Sequence, residues 1–89
     1  MNNKSRAELV KEIESEYHGK IRELEEQLRS EHKELNKIEK LIEHEAKKTE
    51  HSKKYILNAQ KAKINASIHD IKKDIQQLKK EKSKKLKRL

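Results

Sequence analysis

The sequence predicts an all-α fold: an antiparallel two-helix coiled-coil hairpin that dimerises into a four-helix bundle near its turn. Three observations point to it. Large apolar residues recur at steps of three and four along two separate stretches, the spacing of one helix face. Between them lies EHEAKKTEHSKK, residues 43–54, in which Ala46 is the only apolar residue. The 89 residues hold one Gly and no Pro, so little else punctuates the chain. Only 30% of positions are hydrophobic, 45% are charged, and Phe and Trp are absent. That is too few large side chains to enclose a globular core, but with regular spacing it is the composition of long helix or coiled coil. Nothing alternates with period two, so strands are excluded.

The first element is predicted as a helix over residues 5–48. Ser5 and Glu8 have the spacing of a capping box, in which each side chain meets the other's backbone N–H. The stripe then runs Val10, Ile13, Tyr17, Ile21, Leu24, Leu28, Leu35, Ile38 and Ile42. Gly19 lies inside it and costs about 1 kcal/mol relative to Ala, which marks a soft spot rather than an end. The turn is expected at about residues 48–52, with Thr49 or Ser52 as the N-cap of the second helix.

The second element, residues 53–89, carries Leu57, Ile64, Ile68, Ile71, Ile75, Leu78 and finally Leu89. Its phase is shifted by one residue from the first stripe. A single long rod would need a stutter there, whereas a hairpin needs only the turn. Folding back pairs residues whose numbers sum to 99: Ile42 with Leu57, Leu35 with Ile64, Leu28 with Ile71, Leu24 with Ile75 and Ile21 with Leu78. Val10 then reaches towards Leu89. Glu31 would face Ile68, and Lys61 would face Ile38; polar seam positions of this kind specify register. The whole chain, 1–89, is expected to be one helical domain.

Such a seam is thin for two ordered helices, and self-association is the usual remedy. Tyr55, Ile56, Ala59, Ala62 and Ala66 lie away from the seam and form the expected dimer contact, with Leu41 and Ala46 flanking the same end.

Charge is divided unevenly. Residues 1–50 carry 11 basic and 13 acidic side chains, and residues 51–89 carry 13 and 3. Lys72, Lys73, Lys79, Lys80 and Lys87 recur at heptad spacing on the second helix. Together with Lys84 and Arg88 they are the candidate nucleic-acid-binding residues. Lysine ladders neutralise phosphates and release counterions. Arg is scarce in this tail and no aromatic lies near it, so base reading and stacking on single strands are poorly provided for. The expected partner is therefore double-stranded DNA or RNA, recognised by backbone and shape without strong sequence specificity. The alternative is a coiled-coil scaffold or adaptor that binds another protein, an acidic one among the options. A membrane surface is disfavoured because the tail lacks Trp or Phe anchors.

Enzymatic chemistry is not expected. The chain has no Cys, no Gly-rich phosphate loop and no HExxH pattern, so no cofactor and no metal site are expected either. His44 and His51 flank the turn and are taken as solvated. With no apolar run of signal-peptide length or spanning length, the expected setting is intracellular, cytoplasmic or nucleoid-associated.

Overall fold

In the computed structural model the described residues are 4–47 and 52–89, with only the backbone of Ser52. Two helices account for nearly all of them: α1, Arg6–Ala46, and α2, Ser52–Lys87. They pack against each other along their lengths. Contacts run antiparallel: Lys61 meets Glu39 near the linked ends, and Lys85 meets Tyr17 at the open end. The residue numbers of these pairs sum to 100 and 102, within three of the register expected for the seam. The molecule is a rod whose Cα atoms extend over 72 × 16 × 16 Å.

Helix α1 starts where its sequence provides a cap. Ser5 is extended, and its hydroxyl accepts from the Glu8 N–H at 3.2 Å. Only this half of the capping box is made. Gly19 does not interrupt the helix, and a Cβ there would meet nothing within 4 Å. At the other end the Lys47 N–H donates to the His44 carbonyl at 3.3 Å. Residues 48–51 of the expected turn, including Thr49 and His51, lie outside the described residues, as does the Ser52 side chain, while the backbone of Ser52 already belongs to α2.

Burial follows the two stripes. Among the described residues, Tyr17, Ile68, Ile71 and Ile75 are the buried apolar ones. Ile21, Leu24, Leu28, Leu35, Ile38 and Ile42 on α1 are half-buried, as are Leu57, Ile64 and Leu78 on α2. Two cylinders can cover each other on one side only, so most of the seam keeps an edge in water. Towards the open end the α2 stripe passes to Lys82, half-buried, and to Lys85; long side chains there cover apolar surface with their stems while the ammonium stays wet. Glu45 is buried at the linked end. Among the described residues, no helix is long and apolar enough to cross a membrane.

Candidate nucleic-acid interface

All seven candidate cations, Lys72, Lys73, Lys79, Lys80, Lys84, Lys87 and Arg88, are exposed. None of them forms an ion pair among the described residues. Three of the cations of α1 are held differently, while Arg6, Lys11, Arg29, Lys33 and Lys40 form no ion pair among the described residues either. Lys20 pairs with Glu16 at 3.3 Å, Arg22 with Glu26 at 3.7 Å and Lys37 with Glu34 at 3.5 Å; ahead of the helix, Lys4 pairs with Glu12. The contrast follows from local composition. In the three α1 pairs the carboxylate stands three or four residues away, whereas the tail of α2 offers only Asp74 and Glu81, with Asp70 just ahead of it.

Helix geometry divides the seven. At about 100° per residue, Lys72, Lys73, Lys79, Lys80 and Lys87 fall within an arc of about 120°. Heptad neighbours on this arc rise by about 10.5 Å, so the ammonium groups form a ladder up one side. Arg88 lies about 180° around the helix from Lys79, and Lys84 stands between the two groups. Lys73 is the one ladder member with carboxylates close by: it lines a shallow hollow with Asp70, Asp74 and Gln77.

On the far flank the fold brings together residues that the sequence reading did not connect. Lys84, Lys85 and Arg88 of α2 line one hollow with Tyr17 and Lys20 of α1 and with Glu81. The Lys85 Nζ lies 5.1 Å from the Tyr17 ring centroid and the Lys20 Nζ lies 5.4 Å from it, both within cation–π range. The Tyr17 hydroxyl, as an acceptor beside the ammonium, raises the pKa of Lys85 above its ordinary value, and the Glu16 and Glu81 charges add to the effect. Lys85 therefore stays charged well into the alkaline range. The sequence signal for this contact is weak. The register expected for the seam sets Tyr17 opposite Lys82, and the observed partner is one turn further on.

The apolar patch expected at the dimer contact is also open to solvent. Tyr55 is 81% exposed and Ile56 58%, and Ala59, Ala62 and Ala66 are exposed beside them. Leu41, 49% exposed, lines an apolar hollow with Ile56, Leu57, Glu45 and Lys53. Among the described residues, no group of three or more His, Asp or Glu is arranged to hold a metal ion. No protein-family model matches the chain, and no curated protein or solved structure compared with it matches significantly.

Proposed function

We propose that this protein binds double-stranded nucleic acid, DNA or RNA, through the lysine ladder of α2, and that it does so as a homodimer joined near the turn. The role is one of binding, not catalysis. The observation that carries the reading is that Lys72, Lys73, Lys79, Lys80 and Lys87 are exposed, share one side of a continuous helix and lack ion-pair partners among the described residues. Cations already neutralised by neighbouring carboxylates gain little from a phosphate; of the five only Lys73 has carboxylates near it, Asp70 and Asp74, and it is not ion-paired with either. The ladder is convex and rigid, which suits the regular backbone of a duplex and leaves base edges unread.

Support for the dimer comes from Tyr55, Ile56 and Leu41, large apolar side chains that the single hairpin leaves in water. The exposed alanines beside them permit close helix approach. A dimer joined there into a four-helix bundle would project two basic arms from an apolar centre.

The test is a mobility-shift titration with a random-sequence duplex at two salt concentrations. About four lysine–phosphate contacts predict a loss of roughly a hundredfold in affinity between 50 and 200 mM salt. A variant with Lys72, Lys73, Lys79 and Lys80 changed to Ala loses most of the binding at low salt. Absence of any shift at 50 mM salt contradicts the proposal. That outcome would favour the second reading, a coiled-coil adaptor, for which the apolar hollow lined by Leu41, Ile56 and Leu57 is the supporting observation.

A further inference from the structure

We infer that the hollow around Tyr17 at the open end of the hairpin is a seat for a terminal phosphate, a phosphate monoester. The inference rests on the nucleic-acid reading for the source of that phosphate, namely the phosphorylated end of a strand; free inorganic phosphate has the same chemistry and is told apart from it by experiment.

Four cations, Lys20, Lys84, Lys85 and Arg88, line this hollow of about 380 Å³ against one carboxylate, Glu81. Two of them, one from each helix, converge on the same ring at 5.1 and 5.4 Å from its centroid. Like charges do not gather without compensation. Glu16 offsets Lys20 at 3.3 Å, and the Tyr17 ring offers its electron-rich face to both ammonium groups. The remaining excess of positive charge is what an anion placed between Lys85, Lys84 and Arg88 would neutralise.

The shape of the site selects the kind of phosphate. The ladder is convex and meets an in-chain diester from one side. The hollow instead presents donors from several directions, three on each ammonium and a planar fork on the guanidinium. A monoester offers three acceptor oxygens and nearly two charges at neutral pH, one oxygen more than a diester exposes. Position agrees with this. Arg88 lies about 180° around the helix from Lys79, and Lys84 stands beside Lys73 at the near edge of the ladder, so backbone lying along the Lys72 and Lys79 side of the ladder leaves Lys85 and Arg88 free. Tyr17 is itself buried, which fixes the floor of the hollow and leaves no open ring face for a base.

The experiment compares one duplex sequence with and without 5′-phosphates, and adds a titration with inorganic phosphate followed by the ring resonances of Tyr17. The expected result is tighter binding of the phosphorylated duplex by about tenfold, the scale of one charge-assisted hydrogen bond. That preference disappears in the Lys85→Gln, Arg88→Gln double variant and persists when Lys72, Lys73, Lys79 and Lys80 are changed to Ala, although the latter binds both duplexes more weakly. Circular dichroism of each variant confirms that the helices remain. Equal affinity of the unmodified protein for the two duplexes overturns the seat and leaves the ladder standing. Binding of neither duplex, with the Tyr17 resonances shifting in phosphate, supports the seat with free phosphate as its ligand and overturns the nucleic-acid reading. Binding of neither with no shift overturns both.

Discussion

Gly19 shows how little a single residue needs to disturb a long helix. It sits two residues from Tyr17 and two from Ile21, on the exposed side of α1, with open space where a side chain would be. Its backbone is helical, with no positive φ. The only cost is therefore intrinsic, the greater freedom that glycine has in the unfolded chain. Gly19→Ala is expected to stabilise the protein by about 0.4–1 kcal/mol, measured by urea or thermal unfolding. A destabilised variant would mean that the glycine answers to a close contact. At this scale the sequence was partly legible. Ser5 announced its cap through its spacing from Glu8, because capping is local chemistry. The Tyr17–Lys85 contact was not legible, because it depends on where two helices have drifted relative to each other after many turns. Lys61 illustrates the same limit. The seam register set it opposite Ile38, but its long side chain reaches Glu39 on the flank, 3.8 Å away, where the charge remains in water.

For the helices as elements, apolar spacing decided which face is covered. Ile68, Ile71 and Ile75 lie where the stripe of α2 runs, and they are the buried apolar residues of that helix. Ile56 has the same chemistry one residue off the stripe, and it is exposed. The two positions make a controlled comparison. Ile75→Ala is expected to cost about 2–4 kcal/mol of unfolding free energy, the usual range for deleting a buried isoleucine side chain. Ile56→Ala should stay within about 0.5 kcal/mol in a dilute, monomeric sample. Denaturant unfolding reads both, and similar losses at the two sites would contradict the assigned face. The two-helix, folded-back arrangement was legible because period and phase are properties of the chain alone. The division of the basic tail into a ladder and a separate cluster with Lys20 was less so. A list of cations gives their angles around α2, but only the packed partner shows that α1 contributes Tyr17 and Lys20 to one flank.

For the whole molecule, the hairpin combines an apolar patch near its linked end with free positive charge at its open end. The patch predicts a second copy there. In sedimentation or light-scattering measurements the protein should exceed the 10.6 kDa of one chain, and a Tyr55→Glu, Ile56→Glu variant should return to that mass. A 10.6 kDa species at high protein concentration would leave the ladder to act from single hairpins. The charge at the other end underlies the functional proposal, and its number of phosphate contacts can be counted directly. The decisive measurement is duplex affinity across a salt series, comparing the unmodified protein with the variant in which Lys72, Lys73, Lys79 and Lys80 become Ala. Because each neutralised phosphate adds about 0.9 to the slope of log K against log salt, the account predicts that the variant's slope is shallower by about 3 to 4 for each hairpin engaged. An unchanged slope, at whatever affinity, would show that these four lysines do not meet the phosphates and would contradict it.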